Sequence, residues 1–215
     1  EPVRRRLVSA GSPETRLLIF PKGNLRKIPF SALPLGRQSL IDLFVPIIVP
    51  SVGALSRAPA ANKTNLGSGQ AALVVGNPDL RDDPVHCWAP LPGAEKEAYY
   101  AAGKLPNAQL KTGDEASNQQ IVSQLKSKES FGLLYLATHG ISDPENPADE
   151  SYLALHGGHL RGAQLRDINL TGNPLVVMSA CQTGLGTEVA QGVFGLPEAW
   201  HFAGSNRIVM SLWDV

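Results

Sequence analysis

The chain has 215 residues, 43% apolar and 6% aromatic, enough for one large globular domain or two small ones. Its formal net charge is zero, so no global field points to nucleic acid, and no apolar run approaches the ~18 residues of a membrane span. Two cysteines, Cys87 and Cys181, are too few for a disulfide-stapled secreted domain and fit a reducing cytoplasm.

The charge is unevenly spread. Residues 1–70 carry ten Lys/Arg against three Asp/Glu, and residues 71–215 carry nine against sixteen. The acidic part would favour a basic substrate segment or partner; the simpler reading is that the two parts attract each other. The opening EPVRRRLVSAG lacks the apolar core of a signal peptide. Without an initiator Met, and ending on SLWDV straight after a strand pattern, the chain is expected to be a piece of a longer protein.

In chain order, Arg16–Phe20 (RLLIF) reads as a strand and Pro21–Asn24 as a turn. Leu25–Phe30 is expected to return as its hairpin partner, kept short or at an edge by Pro29. Leu40–Val49 reads as a second extended segment interrupted by Pro46. Pro50–Gln70 is rich in Ser, Ala, Asn and Gly and has no period. It marks the expected boundary between a strand-rich part, 1–70, and a catalytic core, 71–215. From Ala71 the pattern is regular. Ala71–Val75 reads as a buried strand, and Leu80–Ala89 as a polar loop holding His86, Cys87 and Trp88. Ala94–Leu105 reads as a helix with acids in its first turn. Gln109–Lys111 follows as a short strand, then a helix over Asn118–Lys128 and a strand over Leu133–Ala137. Tyr152–His156 and His159–Arg161 read as a hairpin about Gly157-Gly158. A short helix over Gly162–Asn169, a strand over Leu175–Ala180, a helical stretch over Gln191–Ala203 and a last strand over Arg207–Trp213 complete the chain. Pro197 suits only an early helical position. Strands alternating with helices predict an α/β fold with a mainly parallel sheet.

Two of these strands end abruptly at a reactive side chain beside glycine: LLYLATHG at His139-Gly140, and LVVMSACQTGLG at Cys181, just ahead of Gly184 and Gly186. Ligands of open parallel sheets bind beyond the carboxyl ends of strands. If the two strands are neighbours, an imidazole and a thiol meet there, the minimum for a cysteine nucleophile with a histidine base. The glycine turns and the Gly140 amide offer donors for an oxyanion. The plain alternatives are a small buried hydrophobe for Cys181 and a backbone-bonded strand-end histidine for His139. His86 beside Cys87 lacks metal-ligand spacing. His156 and His159 flank a glycine turn and are expected to be exposed, and His201 to be structural. The Gly184–Gly186 run lacks the GK[ST] ending of a phosphate loop. The order His before Cys excludes an α/β-hydrolase nucleophile elbow. The acids Asp143, Glu145, Asp149 and Glu150 form either a recognition loop for a basic residue or an ordinary solvated loop, and the latter is preferred.

LATHG and SACQTG, with VVGNP (Val74–Pro78), LPGAEKEA (Leu91–Ala98), DPENP (Asp143–Pro147), GVFGL (Gly192–Leu196) and the final SLW, resemble the CHAT domain from about Leu17 to Val215. CHAT is a caspase-like cysteine peptidase family related to separases and caspases and commonly fused to tetratricopeptide repeats. The resemblance implies a three-layer α/β/α sandwich and a His139–Cys181 dyad. It implies oxyanion donors at the Gly140 and Cys181 amides, and no cofactor or metal. It places Gln182 where many members carry an acid, and Trp213 and Asp214 at the wall of the substrate pocket; the recognition-loop reading of the acids would put Asp143 at the entrance. The expected activity is endopeptidase action on a protein or peptide substrate, gated by flanking repeats or a regulatory partner. A catalytically quiet interaction module is the alternative, and acyl transfer to an acceptor other than water would use the same dyad.

Overall fold

The computed structural model of the chain describes residues 14–21, 25, 28–49, 70–83, 85–180, 187–189 and 192–211. Contacts divide the chain into two units, Glu1–Ala60 with Ala190–Gly192, and Ala61–Val189 with Val193–Val215.

In the first unit β1 (Arg16–Ile19) is followed by a 3-10 turn at Phe30–Ala32. The hairpin of β2 (Pro34–Leu35) and β3 (Gln38–Ser39), helix α1 (Leu40–Leu43) and β4 (Val45–Ile48) come next. The partner of RLLIF is β4, in parallel, with Leu17 opposite Pro46 and Ile19 opposite Ile48. The expected hairpin return over Leu25–Phe30 does not form at its C-terminal end. There the chain curls into the 3-10 turn, and the intervening residues supply the long crossover that a parallel partner needs. The extended segment expected over Leu40–Val49 splits in two. The Ser39 amide donates to Asp42 Oδ2 at 2.6 Å and closes a helical turn, so only Val45–Ile48 is a strand. Pro46 sits inside that strand because a two-stranded sheet leaves one side of β4 without a ladder to feed.

From β5 (Ala71–Pro78) the chain runs through α2 (Pro92–Lys104), β6 (Ala108–Gly113), α3 (Asn118–Lys126), β7 (Phe131–Ala137) and β8 (Gly140–Ile141). It continues through β9 (Tyr152–Leu155), β10 (Gly158–Arg161), α4 (Gly162–Arg166), β11 (Leu175–Ser179), β12 (Thr187–Val189), β13 (Gly192–Phe194), α5 (Leu196–Phe202) and β14 (Arg207–Met210). Five strands make one parallel sheet in the order β6-β5-β7-β11-β14. Counted along the chain this is the doubly wound order 2-1-3-4-5, whose topological switch lies between β5 and β7. β8, β9 and β10 form a small antiparallel sheet. The helical stretch expected from Gln191 begins only at Leu196, after β13, with Pro197 in its first turn.

The period of two along each strand sorts the side chains into layers. Leu73, Val75, Leu134, Leu136, Val176 and Met178 share one buried core with Ile121 and Leu125 of α3, Leu165 of α4 and Trp200 of α5. The opposite face of β5 meets α2 so closely that a Cβ on Gly76 would lie 2.4 Å from Ala98 Cβ. Helices thus cover both faces of a parallel sheet, the α/β/α arrangement expected of a caspase-like fold. Among the described residues no helix is long and apolar enough to cross a membrane.

Candidate functional site

β7 and β11 are direct neighbours, with Leu175 opposite Leu133 and Ser179 opposite Ala137. The Thr138 amide still reaches the Ser179 carbonyl at 3.3 Å. His139 follows Ala137 by two residues, and in the sequence Cys181 follows Ser179 by two. Cys181, Gln182, Trp213 and Asp214 lie outside the described residues.

His139 stands half-buried at the C-terminal end of β7. Its Nε2 lies 2.9 Å from the carbonyl oxygen of Ala89. A carbonyl can only accept, so Nε2 carries the hydrogen in the neutral ring and Nδ1 keeps the lone pair. The imidazole also stacks on the indole of Trp88, with centroids 4.5 Å apart and planes at 21°. Beside it, the Ala154 amide donates to the His139 carbonyl at 2.9 Å. Gly140 and Leu153 therefore form a non-hydrogen-bonded pair of the antiparallel ladder, and the Gly140 amide points away from β9.

Both partners of the ring come from the loop after β5, at the switch point of the sheet. Sequence motifs explain how that loop is held. Asn77, at φ 45°, adopts a left-handed turn that asparagine tolerates. Its Oδ1 accepts from the Leu91 amide at 2.8 Å and its Nδ2 donates to Glu95 at 2.9 Å. The GNP and LPGAE segments thus tie the two ends of the loop together. Its middle is organised by Asp83, whose side chain is 3% exposed. Asp83 Oδ1 accepts the Val85 and His86 amides, both at 2.8 Å, and Oδ2 accepts Trp88 Nε1 at 3.0 Å and His159 Nε2 at 2.7 Å. Burial opposes ionisation of this carboxyl, but the donors of His159, Val85, His86 and Trp88 outweigh it and hold its pKa well below the usual carboxylate range.

His156 and His159 are not the exposed turn residues expected. His159 is 7% exposed, paired with Asp83 and stacked on Tyr152 at 4.0 Å, and His156 Nδ1 donates to the Asp79 carbonyl at 2.9 Å. The Gly157 tip of the turn stays exposed, and it is the flanking imidazoles that face the loop. Asp143 Oδ1 accepts the Glu145 and Asn146 amides at 2.9 and 2.7 Å, which shapes the DPENP turn. Asp149 pairs with Arg166 at 2.8 Å and Glu150 with Arg161 at 2.6 Å, so these two acids hold α4 and β10. His201 Nδ1 donates to the Ser205 carbonyl at 2.7 Å, closing the end of α5.

Trp88 and Ala89, which contact His139, and Asp83, which holds Trp88, are the residues around the candidate site that sequence reasoning missed. The DDPVHCWAP stretch has no period, and a carbonyl acceptor carries no side-chain signal at all. Beneath the strand ends, Glu97 of α2 accepts from the Tyr135 hydroxyl and from Ser179 Oγ at 3.2 Å, which fixes the tips of β7 and β11 to one helix. Among the described residues no cluster of three His, Cys, Asp or Glu could hold a metal ion.

A family model described as the CHAT domain matches residues 1–215. Tetratricopeptide repeat protein 28 of Homo sapiens is 26% identical over 260 residues, and that of Mus musculus 25%. Each alignment covers 100% of this chain and 10% of the relative, so the chain spans about a tenth of the length of the curated relatives it matches.

Proposed function

Since the chain belongs to the CHAT domain family, a caspase-like group related to cysteine peptidases, we propose that it is a cysteine endopeptidase working through His139 and Cys181. The observation that carries this reading is the anchored imidazole. The Ala89 carbonyl takes the Nε2 hydrogen and leaves Nδ1 as the base, at the end of the strand whose neighbour leads into Cys181. Nδ1 removes the thiol proton. The thiolate attacks the substrate carbonyl, and the Gly140 and Cys181 amides hold the oxyanion. The imidazolium then protonates the leaving amine. Water, activated by the same Nδ1, hydrolyses the thioester and frees Cys181.

Residues 71–215 carry this chemistry, with residues 1–70 as a strand-rich flank. On this reading Asp143, Gln182, Trp213 and Asp214 contribute to substrate binding. The protein works in the cytoplasm, where a free thiol nucleophile survives. Tetratricopeptide repeats or a regulatory partner gate it. The relatives are named for their repeats and not for catalysis, which favours one second reading: a docking module that keeps the dyad without turnover.

A peptidyl acyloxymethyl ketone, followed by mass spectrometry, tests the proposal. The expected result is one adduct on Cys181 and none on exposed Cys87, slowed about 10³-fold or more in His139→Ala. Equal labelling of the two thiols, or a rate indifferent to His139, overturns it. Labelling without cleavage of any unfolded protein selects the docking module.

A further inference from the structure

Among the described residues, Asp83 is the one carboxylate that joins the loop over His139 to the small antiparallel sheet beyond it. We infer that Asp83 and His159 form a clamp that positions the base, so that the geometry of His139 is set by a residue pair that does not touch it. This rests on the peptidase reading for its catalytic consequence, but the positional claim stands on its own contacts.

The chain of contacts is continuous. His159 lies on β10, in register with Ala154 of β9. Its Nε2 donates to Asp83 Oδ2 at 2.7 Å. The same oxygen accepts Trp88 Nε1 at 3.0 Å. Trp88 is the residue stacked on His139, and the next residue supplies the carbonyl that takes the His139 hydrogen. One carboxylate oxygen therefore fixes at once the indole plane and, through the following peptide, the acceptor. The other oxygen gathers the Val85 and His86 amides and keeps the turn that leads to Trp88. Tyr152 supports the clamp from β9, stacked on His159 and carrying Arg161 5.3 Å from its ring.

The physical reason for a charged hub is the number of donors. Four N–H groups converge on one side chain with two oxygens. Only a carboxylate accepts from all four; an amide would turn an NH₂ toward Trp88 and His159. Displacing the loop by about an ångström would move the Ala89 carbonyl out of hydrogen-bond reach of Nε2, and misplacement of that size is worth roughly 10²-fold in rate. The imidazole would then sample both tautomers, and the Nδ1-protonated one cannot take the thiol proton.

The test compares the 215-residue chain with its Asp83→Asn, His159→Ala and His159→Gln variants. NMR of the ring nitrogens of His139 gives the tautomer, and the peptidyl ketone gives the rate of Cys181 alkylation. The wild type is expected to hold the Nε2–H tautomer alone. Asp83→Asn and His159→Ala should admit the Nδ1–H tautomer and slow alkylation about 10- to 100-fold. His159→Gln, which restores a donor, should recover most of both. If Asp83→Asn does not fold, the two His159 variants decide, since their contrast reads donation and not bulk. An unchanged tautomer in the folded variants overturns the clamp. A shifted tautomer in a chain whose Cys181 never labels keeps the clamp and removes the peptidase reading.

Discussion

On one face of the parallel sheet Leu73, Val75, Leu134, Leu136, Val176 and Met178 lie at most 2% exposed, together with Ile121, Leu125 and Trp200. On the other face Gly76, Tyr135 and Ser179 meet a single helix, α2, through a glycine contact and a shared carboxylate. The first face is apolar throughout and fills its volume, which is what cooperative stability requires. The second is thin and polar toward the strand ends. There the Tyr135 hydroxyl is held protonated by burial and by Glu97. The loop over His139 springs from the strand that carries Gly76. Stability and geometry are thus assigned to different sides of one sheet.

Trp200→Ala should separate the two sides most sharply. Emptying a fully buried indole site costs about 3–5 kcal/mol, read by denaturant unfolding. The His139 tautomer of the remaining folded fraction should stay as in the wild type. Next in size is Gly76→Ala. The added Cβ would meet Ala98 Cβ at 2.4 Å and the Ala94 carbonyl at 2.8 Å, so α2 must shift at a cost of about 1–3 kcal/mol. This variant should also slow Cys181 labelling, because Asn77 anchors the loop one residue further on. Ala98→Gly should restore part of both and not all, since the carbonyl contact remains. The smallest effect is acid sensitivity. The Asp83 carboxyl ionises more readily folded than unfolded, so its stabilisation is complete above the ordinary value of 3.8 and fades as pH falls through the lower folded value. The stability difference between wild type and Asp83→Asn, constant above about pH 5, should shrink below pH 4. A difference that grew in acid would remove the charge from the explanation.

The strand-end pattern identified His139 and Gly140 because a buried apolar run that stops at His-Gly is a local signal. The neighbouring run that stops ahead of Cys181 is another, and the parallel register of β7 with β11 joins the two. Most elements from Ala71 onward were legible for the same reason, each having a period of its own; β8, β12 and β13, strands of two or three residues, are too short to show one. What was hidden depends on distant partners. RLLIF could not announce that its partner begins at Val45, since a parallel pair has no turn to mark it. His159 reads as a turn residue until Asp83, 76 residues earlier, is placed beside it. The loop over His139 offers no hydrophobic period, only a set of donors and acceptors whose pairing is decided by the finished sheet.

The tether on His139 has a consequence for the growing chain. Ala89 and His139 are 50 residues apart, and Asp83 and His159 are 76 apart. Both need the end of β5 already beside the end of β7, since the loop and His139 leave those two strand ends. A chain caught half-folded carries a free imidazole and a free thiol but nothing that orients either of them. On the peptidase reading, activity would arrive only with this assembly, and nascent or misfolded copies of the protein would be chemically idle.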